Sequence, residues 1–558
     1  MPFEMDRDAY RRRYGPTAGD RIRLGDTNLI ARVERDHAAY GDELVVGWGK
    51  TVRAGMMQAH TVSRPSELDY VVAGAVVIDP VLGIFKGDIG IKDGLIAGTG
   101  RAGNPDVMDG VDLVIGPNTV ILSGLNMIAT PGTVDSHVHL TRSSLLLWVA
   151  LSAGVTTFIG GGLQWNGRFI LEKYFEALEG VPINMGFQAR GSSIDPGPMS
   201  DSIEAGACGI KIHEDSGAYP SIIDASLRVA DEYDVSVALH TDGLHESMEV
   251  TDTIDAIAGR ALHAYHIEGC GGGHAPDLLR LAGAPNIIPS STTPTIPYTA
   301  GTYQEHFPMT AMCHGINLQV ETDVSALDER RRRETMAAED VLHDMGAIPV
   351  VNSDSQGMGR IGEIGLRTWQ LAHKMKSERG DGSREEDNQR ILQYLAKYTI
   401  NPAVTHGVSP YVGSLEAGKM ADIVLWRPEF FGVKPEMVIK GGFPAWAPLG
   451  DGNASVPASE PVRYGPMFGG MGRASASTSA YFVSGASLDM GLAGRLDSRR
   501  KLLPVRDVRS VTREQMVRNR LVPDIRVDLE SNRVSVNGTA VTSEAVPEVP
   551  LNRLYFLS

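Results

Sequence analysis

Histidine, lysine and aspartate side chains recur at the ends of short apolar runs in the middle of the chain. His137 and His139 flank Val138 at the end of the first such run. Side chains of a strand alternate between its two faces, so both imidazoles would point the same way. Two neutral imidazoles on one face suit a borderline divalent metal ion. A His-x-His pair alone is a weak signal, so the interpretation depends on the other strand ends.

Lys211 and His213 repeat this spacing at the end of a second apolar run. A lysine buried beside a metal cluster cannot keep its ammonium form cheaply, because desolvating that charge is costly. A neutral lysine can add carbon dioxide to give a carbamate, a carboxylate-like group that can bridge two cations. The alternative is a strand-end lysine whose amine reaches solvent. The histidines of the neighbouring strands favour the bridge.

His240, His266 and Asp354 close three further apolar runs. A lone strand-end histidine is more often a hydrogen-bonded core residue, but two in register with the others indicate a shared site. A carboxylate at such a position can bind a metal ion and orient an attacking water. The spacing therefore predicts a metal-dependent hydrolase with a borderline divalent ion, and zinc, manganese or iron would fit it.

These ligands need a fold that brings distant strand ends together. From residue 127 onward, apolar runs alternate with helix-like segments, and eight such units predict an α/β fold with a (β/α)₈ TIM-type barrel, whose active sites lie at the C-terminal rim. The interval 290–346 is too long for one helix and predicts an insertion. The predicted strands are 133–139, 154–160, 182–188, 208–213, 235–240, 261–266, 286–289 and 347–353. The predicted helices are Ile170–Leu178, Tyr219–Tyr233, Met248–Ile257, Ile364–Ser377 and Asn388–Tyr398.

Short strands separated by Asp/Gly turns flank the barrel pattern on both sides and predict a small β-rich second domain. We expect it to be assembled from both flanks of the barrel. The predicted organisation is an N-terminal segment 1–65, a composite β domain 66–126 with 405–480, a barrel 127–404 with a flap insertion near 290–346, and a mixed C-terminal segment 481–558.

Composition places the chain among ordinary globular proteins and excludes several other classes. Its 558 residues are 42% hydrophobic and 22% charged, with a net charge of −16. The acidic balance disfavours a nucleic-acid partner. Three cysteines argue against a disulfide scaffold and fit a reducing compartment. The first 15 residues lack the apolar core of a signal peptide, and no apolar run approaches a membrane span, so we expect a soluble, cytoplasmic protein.

Three further features lie outside the ligand set. His314 falls in the insertion, and Arg330 begins a run of four arginines, three of which we interpret as a solvated helix face. The glycine-rich stretch Glu268–His274 lacks the Gly-Lys-Ser/Thr ending of a phosphate loop. We interpret it as a turn that lets backbone approach a small substrate.

Blocks along almost the whole chain resemble the large (alpha) subunits of bacterial ureases, in the amidohydrolase superfamily. Together they are far more specific than any single motif. The matching blocks are Tyr14–Asp20, Thr130–His139, Lys211–Asp215, Glu268–Asp277, Pro289–Thr292, Ser353–Gln356 and Phe430–Pro435.

The resemblance implies hydrolysis of urea to ammonia and carbamate, then carbon dioxide, at a centre of two nickel ions. Nickel itself comes from the resemblance alone. The implied ligands are His137, His139 and Asp354 for one ion and His240 and His266 for the other, with Lys211, carbamylated by carbon dioxide, as the bridge.

The same resemblance implies roles for residues around the metal ions. His213 would hydrogen-bond the urea carbonyl oxygen. His314 would act as general acid toward the leaving ammonia, on a mobile flap that also carries Cys313. Asp215 and Arg330 match the positions that orient and tune His314.

The resemblance also implies substrate-binding positions and partner proteins. Gly271 and Gly357 match substrate-binding positions, together with His213. The implied partners are smaller urease beta and gamma subunits in a trimer of heterotrimers, and accessory proteins that deliver metal and carbon dioxide.

The pocket wall departs from the family's pattern, although the ligand set is intact. The departures are Leu140–Ser143, Leu163–Asn166, Ser216, Gly315 after His314, and Gly357 where alanine is usual. They bear on substrate size and affinity more than on reaction class. Two alternatives follow: a related binuclear amidohydrolase for a larger urea-like or amide substrate, and a non-catalytic paralogue that serves as a structural subunit.

Overall fold

Eight parallel strands form the central sheet of this computed structural model, which describes residues 4–41, 43, 57–141, 143–161, 166–213, 217–241, 250–269, 275–380, 385–450 and 462–552. Each strand pairs with the next one along the chain. In order, these barrel strands are Thr133–Val138, Val155–Gly161, Asn184–Gly191, Gly209–Ile212, Ser236–His240, Leu262–Tyr265, Ile287–Thr292 and Val350–Asn352.

The eighth strand returns to the first and nearly closes the barrel. Val138 forms a parallel bridge with Ser355, and the His139 amide donates to the Ser355 carbonyl at 2.9 Å. This confirms the predicted (β/α)₈ barrel, with each strand within a few residues of its predicted bounds. Most strands are buried along their whole length, as expected when helices cover a parallel sheet.

Helices cover the outside of the barrel and include those predicted from the sequence. Pro220–Tyr233 begins with proline, whose missing amide proton costs nothing in the first turn. It ends at Asp234, whose φ of 49° turns the chain into the next strand. The other helices before the seventh strand are Leu146–Ser152, Gly167–Ala177, Gly197–Glu204, Val250–Ile257 and the 3₁₀ helix Leu278–Gly283.

The predicted insertion between the seventh and eighth strands folds as helices. After the eighth strand the chain continues in further helices that pack against the barrel. The insertion helices are Ala300–Cys313, Glu321–Glu329 and Arg333–Met345, and the later helices are Ile364–Arg379, Asn388–Ala396 and Ile400–Thr405, with a 3₁₀ helix at Ile361–Glu363.

A second ten-stranded sheet joins residues from both sides of the barrel. Ile128–Pro131, just before the first barrel strand, pairs antiparallel with Ile423–Trp426 and parallel with Tyr70–Asp79. The division of the chain into domains stays a prediction. The remaining strands of this sheet are Arg35–Asp36, Gly83–Lys92, Leu95–Gly100, Val120–Ser123, Met437–Lys440, Phe443–Pro448 and Tyr464–Pro466.

The C-terminal segment adds strands to the barrel sheet and forms a small sheet of its own. Ala480–Val483 pairs parallel with the third barrel strand, and Lys501–Pro504 pairs with it in turn. Among the described residues no helix is both long enough and apolar enough to cross a membrane. The elements not yet given are helices Arg7–Tyr14, Ala474–Ser477, Gly485–Asp489 and Leu492–Leu496, 3₁₀ helices Pro428–Phe430, Phe468–Gly470 and Arg513–Gln515, and strands Arg21–Arg23, Ile30–Arg32, Ala102–Gly103, Leu113–Val114, Ile525–Val527, Val534–Val536 and Thr539–Val541.

A buried ion pair ties the second sheet to the barrel. The Lys440 ammonium donates to the Asp422 carboxylate at 2.9 Å, and both side chains are buried. Asn184, the first residue of the third barrel strand, donates its amide to the other carboxylate oxygen at 2.8 Å. Asp422 therefore satisfies a buried cation and a buried amide at the junction.

We predict that Asp422→Asn lowers the free energy of unfolding by about 3 kcal/mol, because it leaves the buried Lys440 charge uncompensated. Thermal and guanidinium unfolding measure this loss. Glu176→Gln, which breaks the half-exposed pair with Lys173, is the control and should cost less than about 1 kcal/mol. Equal losses in the two variants would contradict this account of the junction.

Candidate metal centre

The barrel places the predicted ligands at the C-terminal ends of five strands. His137, Lys211 and His240 are strand residues, whereas His139, His213, His266 and Asp354 lie one or two residues beyond a strand end. All seven side chains are buried. The rim of the barrel therefore gathers the residues that the sequence predicted to converge.

His137, His139 and Asp354 form the tightest group of ligand atoms. The two imidazole Nε2 atoms lie 3.3 Å apart, and the Asp354 Oδ1 atom lies 3.2 Å from His137 and 3.3 Å from His139. Ligands bound to one ion at about 2.1 Å are separated by about 3.0–3.4 Å. The three atoms thus have the spacing of neighbouring ligands around a single divalent ion.

The backbone holds Asp354 in a strained conformation to achieve this approach. Asp354 has a φ of 52°, a region that non-glycine residues enter at a cost of about 1–3 kcal/mol. His266 also has a positive φ, of 30°. Such strain persists where the surrounding structure imposes it, and it is common at functional sites. Here it accompanies two residues whose side chains turn into the same cluster.

His266 connects this group to a second group of imidazoles. Ligand atoms of His137, His266 and Asp354 all lie within 4.8 Å of one another. The His266 ring centroid is 4.2 Å from that of His240, which stacks on His213 at 3.9 Å. The histidines of the fourth, fifth and sixth strand ends therefore continue the cluster begun at the first and eighth.

Lys211 lies inside the cluster and not at its edge. Its side chain is fully buried, and its Nζ atom is 2.8 Å from His137 Nε2. This position excludes the alternative in which the amine reaches solvent. The bridging interpretation requires the Lys211 amine to lie beside the histidines of the cluster, and its distance from His137 agrees with that requirement.

Burial sets the charge state of the imidazoles. It lowers the pKa of His137 and His213 well below the usual value, and lowers the pKa of His139 less strongly. The neighbouring Lys211 charge adds to the lowering for His137. These rings are therefore neutral at pH 7, which is the form that binds a metal ion.

Asp354 keeps its negative charge despite its burial. Burial alone would raise the pKa of this carboxyl, but interactions with its neighbours, first among them the hydrogen bond from His139, bring the pKa below its usual value. The cluster thus combines neutral nitrogen donors with one carboxylate, a set suited to a borderline divalent cation.

Two residues that support the cluster were missed by the sequence analysis as site residues. Asp135 accepts hydrogen bonds from the amide and hydroxyl of Ser353 and from the His137 amide, so it ties the first strand to the eighth. In the sequence, Asp135 lies two residues before His137, and this spacing indicates that both side chains lie on the same face of the strand. The Tyr265 ring contacts His137 and Lys211, but nothing in the sequence distinguishes Tyr265 from other aromatic residues of buried strands.

The remaining predicted residues are placed in or near the insertion, or lie outside the described residues. Cys313 is the exposed last residue of helix Ala300–Cys313, and His314 is its half-buried C-cap. Arg330 is the C-cap of the next helix. Asp215 and Gly271 lie outside the described residues, as do parts of the altered pocket wall at positions 142, 163–165 and 216.

Gly357 lies directly against the ligand cluster. A Cβ atom on its present backbone would be 2.4 Å from Asp354 Oδ1 and 3.1 Å from His139 Cδ2. Its amide donates to the Asp354 carbonyl at 3.1 Å. The missing side chain therefore leaves room for the Asp354 carboxylate; a substrate-binding role for Gly357 stays a prediction.

Four charged side chains anchor the helix that leads to His314. Glu305, in the first half of that helix, pairs with Arg360 at 2.6 Å and with Arg367 at 3.4 Å. Glu363 pairs with the same two arginines at 3.3 and 3.0 Å. Pro308 lies within the same helix, beyond this anchor. The first half of the helix is thus fixed to the chain that follows Asp354.

Comparison with known proteins identifies relatives over the full length. Residues 3–122 match the N-terminal domain of urease alpha-subunits, and residues 128–445 match the amidohydrolase family. The urease subunit alpha of Haloquadratum walsbyi is 50% identical to this chain over 571 residues, and the alignment covers 100% of both chains.

The solved structures that match part of this chain are much less similar to it in sequence. The D-hydantoinase (dihydropyrimidinase) of a Thermus species is 16% identical, matches 67% of this chain and 95% of its own, and has a TM-score of 0.48. The N-acyl-D-glutamate deacylase of Bordetella bronchiseptica is 16% identical, matches 68% of this chain and 96% of its own, and has a TM-score of 0.45.

A buried acid in the insertion gives a pH-dependent stability. Glu339 lies in helix Arg333–Met345 with no exposed surface, and burial raises its pKa from 4.5 to about 8. The folded protein therefore keeps a proton that the unfolded chain releases near pH 4.5. The contribution of this protonated carboxyl to the free energy of unfolding is fully present below about pH 4.5. It is lost as the pH rises toward 8.

We predict that Glu339→Gln becomes progressively more stable than the parent protein between about pH 5 and pH 8, by up to about 4 kcal/mol. The amide cannot ionise, so it avoids the cost of a buried anion. Melting temperatures measured across this pH range test the effect. The same change at exposed Glu329 is the control, with little effect at any pH. A Glu339→Gln difference that does not vary with pH would refute the prediction.

Proposed function

The chain belongs to the urease alpha-subunit family of amidohydrolases, and we propose that it hydrolyses urea to ammonia and carbamate at the buried cluster. One observation carries the proposal. The Nε2 atoms of His137 and His139 and a carboxylate oxygen of Asp354 lie 3.2–3.3 Å apart, with Lys211 buried beside them. This arrangement suits metal-assisted hydrolysis and has no evident use in a purely structural subunit.

We propose two nickel ions as the resident metals. The donor set fits a borderline divalent ion on its own chemistry, and family membership favours nickel over zinc, manganese or iron. The proposed ligands are His137, His139 and Asp354 for one ion and His240 and His266 for the other, with carbamylated Lys211 between them.

The carbamate follows from the charge balance of the buried cluster. Two divalent cations would bring four positive charges, against which Asp354 supplies one negative charge. An ammonium on Lys211 would add to the imbalance, whereas a carbamate would offset part of it and provide two oxygen ligands. Full burial of Lys211 removes the route by which its amine could instead reach water.

Urea is a poor electrophile, because both nitrogens donate electrons into its carbonyl group. Two bound divalent ions supply polarisation of that carbonyl and acidification of a water toward neutral pKa. We propose that His213, which stacks on His240 at 3.9 Å, donates its ring N–H to the carbonyl oxygen. Its lowered pKa keeps this imidazole neutral, so it can orient the substrate without protonating it.

Departure of ammonia requires a proton on the leaving nitrogen, and we assign that transfer to His314. General acids of this kind contribute about 10²–10⁴-fold to rate. His314 ends helix Ala300–Cys313, and Arg330 ends the following helix, so both lie on the insertion. We propose that Arg330 and Asp215 orient His314, and that closure of the insertion excludes bulk water. Gly271 and Gly357 would complete the substrate pocket.

We also propose that the chain works in an assembly. Family membership supports smaller beta and gamma subunits as partners in a trimer of heterotrimers, and accessory proteins that deliver nickel and carbon dioxide. The relative from Haloquadratum walsbyi is named as one subunit of a urease, which agrees with this view.

The direct test is ammonia release from urea by the assembled, metal-loaded protein. We expect turnover of urea, and His314→Gln should lower kcat by about 10²–10⁴-fold with metal content unchanged, because only the proton donor is lost. A panel of N-substituted ureas and linear amides tests the alternative of a larger substrate. Metal-loaded protein that turns over only the larger compounds, or none, would refute the urease assignment.

Lys211→Ala tests the bridge separately from turnover. We predict that it removes both metal ions, and that a small carboxylate such as formate restores part of the metal content by taking the carbamate's place. Metal analysis of the purified protein measures this. Lys397→Ala, which removes another fully buried amine, is the control and should retain metal even if it lowers stability. Full metal content in Lys211→Ala would show that the bridge is wrongly assigned.

A further inference from the structure

Tyr265 lies directly against the proposed ligands, yet no ligand or catalytic role has been given to it. It is the last residue of the sixth barrel strand, immediately before His266, and its side chain is fully buried. A strand residue in this position would normally only fill space in the barrel. The contacts of its ring and hydroxyl indicate a more specific role.

The Tyr265 ring contacts two proposed ligands at once. The His137 imidazole stacks on it with a centroid separation of 3.8 Å and an angle of 10° between the ring planes. Lys211 Nζ lies 4.0 Å from the centroid of the same ring. Because Lys211 Nζ is only 2.8 Å from His137 Nε2, both groups must occupy the same face of the ring.

This shared face restricts both side chains. A stacked imidazole cannot rotate about its Cβ–Cγ bond without losing contact with the ring, so its Nε2 atom stays directed at Lys211 and Asp354. The lysine amine rests against the same surface and cannot move further into the barrel.

The Tyr265 hydroxyl fixes the ring relative to the first strand. It donates to the Ser136 carbonyl at 2.6 Å, and Ser136 immediately precedes His137. Its oxygen is also 3.4 Å from Gln188 Oε1 on the third strand.

A pair of neutral histidines supports the ring from deeper in the barrel. His263, two residues earlier on the same strand, meets Tyr265 edge-on at 4.6 Å. Its Nδ1 atom is 2.9 Å from His406 Nε2, and His406 Nδ1 is 3.0 Å from the Ser236 hydroxyl. The ring is thus held from its edge and by its hydroxyl, while one face is left for the ligands.

We propose that Tyr265 is a positioning residue, which holds His137 and Lys211 in the arrangement that binds the metal pair. The inference rests on the proposed function only in taking these two residues as ligands. The ring orients them, and the hydroxyl fixes the ring to the backbone beside His137. The metal centre therefore depends on a residue that touches neither metal nor substrate.

The experiment compares Tyr265→Phe and Tyr265→Leu with Tyr481→Phe. The first removes only the hydroxyl, and the second removes the ring surface. Tyr481 is also buried, and its hydroxyl donates at 2.6 Å to a backbone carbonyl, that of Phe175, outside the ligand cluster. Tyr481→Phe therefore removes a hydrogen bond of the same kind and length away from the proposed metal centre.

The measurement is nickel(II) affinity of the assembled protein by competition with a chelator, alongside melting temperature. We expect Tyr265→Leu to bind nickel about 10–100-fold more weakly and Tyr265→Phe about tenfold more weakly, as for other residues that orient metal ligands. Tyr481→Phe should bind nickel as the parent does, even if its melting temperature falls by as much as that of Tyr265→Phe.

Unchanged nickel affinity in Tyr265→Phe and Tyr265→Leu would overturn the proposal and leave Tyr265 as a core residue. Equal losses in Tyr265→Phe and Tyr481→Phe would do the same, because the effect would then follow general stability. Nickel binding by the parent protein without urea turnover would refute the proposed function alone. In that case the three variants would still decide the role of Tyr265.

Discussion

The burial of one lysine among histidines is the constraint on which the rest of this site depends. Lys211 has no exposed surface, and its Nζ atom is within 3 Å of an imidazole nitrogen. Burial makes the charged form of an amine costly, which favours either a counter-charge or a chemical change of the amine. The carbamate that we propose between two cations would satisfy this requirement.

The scaffold holds this arrangement at some local cost. Asp354 and His266 adopt left-handed backbone conformations, and the Asp135 carboxylate is buried so that the first and eighth strands stay in register. Such local strain is tolerated only where the surrounding packing is extensive. The almost entirely buried strands of the barrel, and the ion pair that joins it to the second sheet, supply that packing.

The sequence was sufficient to predict the barrel and to group the residues at its rim, because both depend on local patterns. Apolar runs of strand length mark the barrel strands, and a polar residue at the end of each run marks the rim. His137, Lys211 and Asp354 could thus be grouped although they are far apart in the chain. Asp135 lies two residues before His137, so the alternation of strand side chains places it on the same face of the strand.

The roles of Tyr265 and of the ion pairs that Glu305 forms could not be predicted from such local patterns. The contact of Tyr265 with His137 and Lys211 depends on how three strands meet across the barrel. In the sequence, an aromatic residue on an apolar strand gives no indication of where its ring points. Glu305 and Arg360 are charged residues without distinctive spacing. Their pairing is decided by the packing of the insertion against the chain beyond Asp354.

The most direct test of this account is a high-resolution crystal structure of the assembled, metal-loaded protein, with anomalous scattering used to identify the metal. The account predicts two nickel ions at the barrel rim, with continuous density from Lys211 Nζ to a carboxylate group between them. An unmodified Lys211, or a single ion bound only by His137, His139 and Asp354, would contradict it.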